Sequence, residues 1–391
     1  MMTKGFTIPE EEMSRRLSNV RSKMAEKDIE VLVVFSAPGS LRFGQRGHVL
    51  YLSGYEPYFG DCMMILPLDS KLEPVLEIDS ANYFPEGCTW VKNQAKAGSH
   101  IDVIKCYLSD ISPRPSKIGV AGEYSTSPLF FQRMLEELKP VEVEIVSSIL
   151  EAERAVKSEF EIDCMKKTAW IAKKGFEAAA AFIRPGVTES DVVSEVERVC
   201  REHGSQSFPH YTMVISGKDE NHLDYWWNCG SRKLEAGDPI SIDFGAMFNG
   251  YCSDLSRPFV IGKASDRQQD VFKVLLEAHQ AAAEAAKPGV YASAVDNAAN
   301  RVMEKAWDIE DFWGIGHGVG LEVHEWPFIG YQHIKDDPAY GDTLLEENMV
   351  ISMEPAVFFH DVGDFQIEDQ FVVTKNGAVR LNDIPHKIFE V

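Results

Sequence analysis

The chain has 391 residues, 45% hydrophobic and 26% charged, which is long enough for two cored domains rather than one. A formal charge of −22 with no basic run disfavours nucleic acid and anionic membrane surfaces as partners. Apolar runs such as Ala178–Ile183 are too short to span a bilayer, the polar start lacks a signal-peptide core, and seven scattered Cys form no Cys-x-x-Cys pair, so a cytoplasmic enzyme with reduced thiols is expected.

In chain order, residues 10–28 predict a helix, with Met13, Leu17, Val20 and Met24 at helical spacing. Ile29–Phe35 reads as a buried strand, followed by short strands at Val49–Leu52, Cys62–Leu66 and Pro74–Ile78. Lys117–Val120 is another strand, Leu129–Leu138 a helix and Val141–Val146 a closing strand. The alternation predicts an α/β domain with a mixed sheet over residues 1–150, without the Gly-rich fingerprint of a nucleotide site. His48, Tyr55 and Tyr58 in it are expected to pack core or surface rather than line a pocket.

Residues 151–391 predict a second domain, entered through one long charged helix from Ile149 to Ala172. Beyond it an internal repeat emerges. Ile183-Arg-Pro-Gly-Val187 precedes a helix at Glu189–His203, and Ala286-Lys-Pro-Gly-Val290 precedes another at Ala292–Ala306. A duplicated helix–helix–hairpin unit with a site between its copies is the reading preferred over two unrelated helical hairpins.

The chemistry-bearing stretch of the first copy is Ile240 to Asp254. Asn249-Gly250 demands a two-residue turn, because both central residues need positive φ. Phe248 then faces Tyr251, Asp254 faces Gly245, and Asp243 shares the face of Asp254, with Gly245 leaving open space beside the acids. In the second copy, Gly314-Ile-Gly-His317-Gly-Val-Gly320 sets alternate glycines around one His, as if to let a ligand approach the backbone. Apolar strands interrupted by Glu354 and Glu368 follow, and buried Glu is rare unless paired or coordinated. Four carboxylates and an imidazole suit two divalent cations, which about 3.5–4 Å apart hold a bridging hydroxide and polarise a carbonyl.

These pieces carry a resemblance. Ile-Asp243-Phe-Gly, Ser-Asp254-Leu-Ser-Arg, Gly-His317-Gly-Val-Gly-Leu-Glu-Val-His324-Glu-Trp-Pro, Ser-Met-Glu354-Pro and Gln-Ile-Glu368-Asp look like the pita-bread family of prolidase, aminopeptidase P and methionine aminopeptidase, whose fold creatinase shares. The resemblance covers nearly the whole chain. It implies an α/β (α+β) protein: a creatinase/prolidase-type N-terminal domain, then a pita-bread catalytic domain with an internal pseudo-twofold. It implies Asp243, Asp254, His317, Glu354 and Glu368 as metal ligands, with Asp254 and Glu368 bridging, and Glu354 and His324 as catalytic groups for the water proton and the oxyanion. The cofactors would be two divalent ions among Mn, Co, Fe and Zn, with Mn favoured, the substrate a small peptide such as Xaa-Pro, and the assembly a homodimer.

Three departures fall on substrate-handling positions. The family's His after Ser-Gly is displaced: His222 takes its role from a shifted position, or Trp226 occupies its place. Trp313 stands where relatives carry a second His before the metal His, and Gln366 stands where they carry an Arg. Fewer cations and more rings (Tyr225, Trp226, Trp227, Trp313, Trp326) admit a rival substrate, a compact methylated cation held by cation–π attraction. The alternatives are therefore a creatinase-like C–N hydrolase, a lyase on a sulfonium or betaine compound, or a non-catalytic binding protein.

Overall fold

The computed structural model describes residues 8–38, 46–57, 60–78, 88–96, 98–218, 230–307, 314–330 and 341–391. The chain divides into two compact units, Met1–Arg154 and Ala155–Val391.

The first unit runs α1 (Glu10–Glu26), β1 (Val31–Ser36), α2 (Gly47–Ser53), β2 (Cys62–Pro67), β3 (Val75–Ile78), β4 (Asn93–Lys96), α3 (His100–Asp110), β5 (Lys117–Ala121), α4 (Pro128–Glu137), β6 (Glu142–Ile145) and α5 (Ser147–Ala155). Its sheet has the order β4-β3-β2-β1-β5-β6. β1 is antiparallel to β2 and parallel to β5, so the sheet is mixed as expected. β1 is buried along its whole length, which is why it reads as an unbroken Val-rich run. The strand expected at Val49–Leu52 is instead part of α2. Every residue of that helix is buried, so its apolar run shows no helical periodicity to distinguish it from a core strand. His48 is a packed residue: Arg154 donates to its Nδ1 at 3.0 Å and Nε2 lies 2.7 Å from the Tyr124 hydroxyl.

The second unit continues with α6 (Glu159–Phe182), α7 (Glu189–Glu202), β7 (Met213–Ser216), β8 (Pro239–Phe244), β9 (Met247–Phe248), β10 (Tyr251–Cys252), β11 (Leu255–Val260), α8 (Asp266–Ala285) and α9 (Ala292–Ala306). Then come β12 (Gly316–Gly318), β13 (Glu325–Ile329), β14 (Val350–Met353), β15 (Ala356–Phe359), β16 (Gly363–Gln366), β17 (Asp369–Thr374), β18 (Gly377–Arg380) and β19 (Phe389–Glu390). The single long helix expected from Ile149 to Ala172 is two helices. Ser158 caps α6, its hydroxyl accepting from the Glu161 amide while Glu161 accepts from the Ser158 amide. Just before that cap, Val156 leaves helical geometry to bridge Met349.

The repeat is visible in the backbone. Gly186 donates to Leu234 O and Leu234 to Val187 O, both at 2.8 Å; Gly289 donates to Leu345 O and Leu345 to Val290 O, again both at 2.8 Å. Laying Leu234 on Leu345 places Asp243 on Glu354, and the positive-φ Gly237 on the positive-φ Asn348. Each half has its own apolar core. In the first, Phe176, Val192, Leu234 and Phe244 lie under α6 and α7; in the second, Leu275, Val295, Leu345 and Met353 lie under α8 and α9. The halves form sheets of order β19-β11-β8-β7 and β13-β12-β14-β17-β18, each with a small hairpin, β9-β10 or β15-β16, inserted before its last acid. They join where Ser256 and Glu368 exchange backbone hydrogen bonds at 3.4 and 3.1 Å.

Candidate metal centre

The Asp hairpin folds with the expected register. Phe248 faces Tyr251 across Asn249-Gly250, both with positive φ, and Leu255 faces Phe244 further down, which leaves Asp254 opposite Gly245. The reason for Gly245 differs from the expectation. A Cβ there would lie 1.7 Å from the Ser253 carbonyl oxygen and 2.6 Å from Pro209, so the glycine permits close backbone packing rather than leaving room for a ligand. The same correction applies around His317. A Cβ at Gly316 would meet Ser352 O at 2.0 Å, and one at Gly318 would meet Trp326 O at 2.5 Å, because β12 is squeezed between β13 and β14. The glycines hold His317 tightly; they do not open a path to it.

Residues in or beside five strands converge. Asp243 is the penultimate residue of β8, Asp254 immediately precedes β11, His317 is central in β12, Glu354 follows β14 and Glu368 precedes β17. His317 Nε2 lies 3.6 Å from Asp254 Oδ2, 3.4 Å from Glu354 Oε1 and 4.0 Å from Glu368 Oε1. Its Nδ1 is 3.0 Å from Gly318 O, and a carbonyl only accepts, so Nδ1 carries the hydrogen and Nε2 is turned to the acids. Ser352 donates to Glu368 Oε1 at 2.7 Å, and Gln366 donates to Glu354 Oε2 at 3.1 Å. His324 stacks obliquely over His317, ring centroids 4.0 Å apart, and its ligand atom joins those of Asp254 and His317 in one cluster.

The electrostatics are those of a crowded acid site. Burial pushes the Glu368 carboxyl well above its usual range, and the negative charges of Asp254, Asp243 and Glu354 push it further. Burial acts the same way on Asp254, but the imidazoles of His210, His317 and His324 outweigh it and hold that acid low. Burial depresses His317, yet Glu354 and Asp254 raise it on balance. Glu368 Oε2 and His317 Nε2 are buried without a hydrogen-bond partner among the described residues. The donor set of carboxylate oxygens and imidazole nitrogen, with atoms left unsatisfied at its centre, fits divalent cations.

Of the sequence-predicted residues, Asp243, Asp254, His317, His324, Glu354, Glu368 and Gln366 come together here. His222, Trp226 and Trp313, with Tyr225 and Trp227, lie outside the described residues. Trp326 is partly buried against the core of the second half. One residue was not foreseen: His210, whose Nε2 lies 2.8 Å from Asp254 Oδ1 and 3.7 Å from Asp243 Oδ1. Its only signal was a Phe-Pro-His-Tyr segment ahead of β7, and the repeat conceals it. Ile315 pairs with Glu354 as Met213 pairs with Asp243, which makes Ile215 the counterpart of His317.

The chain resembles proteins of known kind along most of its length. It is 31% identical over 340 residues to the Xaa-Pro dipeptidase of Pyrococcus furiosus, covering 85% of this chain and 90% of that one. It is 30% identical to the Xaa-Pro dipeptidase of Pyrococcus horikoshii over 94% and 97% of the two chains. The crystal structure of the X-Pro aminopeptidase from Thermotoga maritima superposes with a TM-score of 0.83 at 26% identity, over 96% of this chain and 99% of that one. The creatinase/prolidase N-terminal domain matches residues 16–156, and metallopeptidase family M24 matches residues 163–375. A hydrolase of metallopeptidase family M24, carrying a creatinase/prolidase N-terminal domain, is therefore what these two units compose.

Proposed function

We propose that the chain is a dinuclear metal-dependent peptidase of the Xaa-Pro dipeptidase type, with residues 151–391 as its catalytic domain and residues 1–150 as the domain preceding it. The observation that carries the reading is the convergence of Asp243, Asp254, His317, Glu354 and Glu368, with Glu368 Oε2 and His317 Nε2 left unsatisfied at its centre. Four carboxylates would balance two divalent charges, and Asp254 and Glu368, next to the junction of the two halves, would be the acids that hold both ions. When bound, two such ions supply Lewis acidity at the scissile carbonyl and a nucleophile from water near neutral pH. Glu354, whose side chain is the most exposed of the four acids, takes up the proton of the attacking water, with Gln366 fixing its second oxygen. His324, half-buried above His317, is placed to donate to the oxyanion as it develops.

The ligand set accepts Mn, Co, Fe or Zn, and Mn is the favoured occupant by availability. A homodimer is the assembly that the resemblance implies, and cysteines scattered without a Cys-x-x-Cys pair suit a cytoplasmic location; no helix among the described residues is long and apolar enough to cross a membrane. Turnover of an Xaa-Pro dipeptide panel by protein loaded with Mn²⁺ or Co²⁺ tests the reading, with release of free proline expected. Absence of turnover across the panel with metal demonstrably bound would overturn it.

One observation favours a second reading, a small non-peptide amide or cation as substrate. Gln366 puts a neutral amide on Glu354, where the family pattern that the sequence resembles carries an Arg, so this point offers no charge to a peptide carboxylate. A Gln366→Arg variant with higher Xaa-Pro hydrolysis than wild type supports that reading, and efficient wild-type cleavage removes it.

A further inference from the structure

His210 lies in the loop ahead of β7 and is 6% exposed. Its Nδ1 is 2.8 Å from the carbonyl oxygen of Tyr211, so Nδ1 carries the hydrogen and donates it. Nε2 is thereby turned toward Asp254 Oδ1 at 2.8 Å and Asp243 Oδ1 at 3.7 Å. A nitrogen facing two carboxylates is held there either by its own proton, as an imidazolium, or, when the ring is neutral, by a cation that the three groups share. His317 is arranged in the same manner: Nδ1 is tied to the carbonyl of the next residue, and Nε2 is aimed at acids. A backbone carbonyl that fixes the tautomer so that the other nitrogen faces outward is the usual support of a metal-bound imidazole. Neighbouring donors around an ion at about 2.0–2.2 Å stand roughly 3 Å apart. The ligand atoms of His210, Asp243 and Asp254 span that range, all within 4.8 Å of one another.

We propose that His210 is a metal ligand, giving an imidazole nitrogen to the divalent ion held by Asp243 and Asp254, while His317 serves the other ion. This rests on the dinuclear reading above and goes beyond it, because each ion then has one nitrogen donor. The two imidazoles are not products of the internal repeat, since the counterpart of His317 is Ile215. An added imidazole would narrow the preference of the ion at Asp243 and Asp254 for Mn over nitrogen-favouring Fe and Zn, while availability still decides the occupant.

X-ray absorption at the metal edge of protein loaded with two equivalents of Zn²⁺ or Co²⁺ counts imidazoles directly from their outer-shell scattering. The expected result is two imidazoles per metal pair in wild type and one in both His210→Ala and His317→Ala. Calorimetric titration of His210→Ala should show one of the two equivalents weakened by more than the roughly 10–100-fold typical of losing a supporting group. If wild type with two bound metals shows a single imidazole, or if His210→Ala leaves the count unchanged, His210 only hydrogen-bonds Asp254 and the proposal is wrong. If the protein takes up no metal, the dinuclear reading fails first and this inference with it. The wild-type count needs no variant, and His210→Gln replaces His210→Ala should the latter not fold.

Discussion

Glu368 and Asp369 are adjacent in the chain and opposite in their electrostatics. Successive residues of a strand point to opposite faces, so the two carboxylates enter different surroundings. Glu368 faces other acids, and burial with their charge pushes its carboxyl well above the ordinary range. Asp369 is equally buried, but Arg257 donates to it at 2.6 Å, Asn382 at 2.7 Å, and His386 and His279 approach at 2.8 and 3.4 Å. Burial alone would raise Asp369; the Arg257 guanidinium, together with His386, His279 and Arg380, outweighs it and holds the acid far below its usual range. Both clusters mix carboxylate with imidazole and both have ligand atoms close enough for an ion. Only the first is short of positive charge. At the second, Arg257 and Arg380 already more than neutralise the single acid, so a dication would be repelled. The proximity of ligand atoms is therefore a weaker criterion than their net charge.

The comparison breaks most visibly at the acids. Glu368→Gln or Asp254→Asn removes an acid that the proposed dinuclear centre would share between its ions, and a Lewis acid worth several kcal/mol implies a loss of roughly a thousandfold or more in kcat. The check is steady-state kinetics alongside metal content, and both should fall together. At the other cluster the same kind of change reads out as folding, not chemistry. Arg257→Leu leaves Asp369 buried without its main cation and should cost about 3–5 kcal/mol in urea denaturation. The double variant Arg257→Leu with Asp369→Leu should recover much of that loss.

A smaller effect follows from His279, which burial holds at a pKa of about 4 against an ordinary 6.5. Above pH 6.5 the ring is neutral in both states and contributes nothing. As pH falls from 6.5 to 4 the unfolded chain binds a proton that the folded chain refuses, so stability declines by up to about 3 kcal/mol. Denaturation of metal-free protein at pH 7 and pH 5 should therefore show a steeper decline in wild type than in His279→Phe. The smallest expected effect sharpens the contrast by its absence. His386→Ala, at the charge-satisfied cluster, should leave the number of metal equivalents unchanged in elemental analysis.

Much of this was legible in the residues. The Asn249-Gly250 turn sets the register that brings Asp243 and Asp254 to one face, and the Pro-Gly-Val echo marks two copies of one unit. The clustered acids stood out because an apolar strand tolerates a carboxylate only with compensation. Less was legible where several physical causes leave one signature. Val49–Leu52 is apolar because it is buried on all sides, which suits α2 as well as a strand. The glycines around His317 read as ligand access but answer to the carbonyls of Ser352 and Trp326. His210 was hidden because its role depends on a hydrogen bond to Tyr211 O and on the approach of a loop, neither of which has a sequence period.

The central claim is that one cluster is a dinuclear metal centre and its neighbour is a closed ion-pair network. Calorimetric titration of metal-free protein with Mn²⁺ or Co²⁺ tests this most directly, run on wild type, Glu368→Gln and His279→Phe. The account predicts two equivalents per chain for wild type and His279→Phe, and loss of both tight equivalents in Glu368→Gln. Binding that survives in Glu368→Gln and disappears in His279→Phe would contradict it.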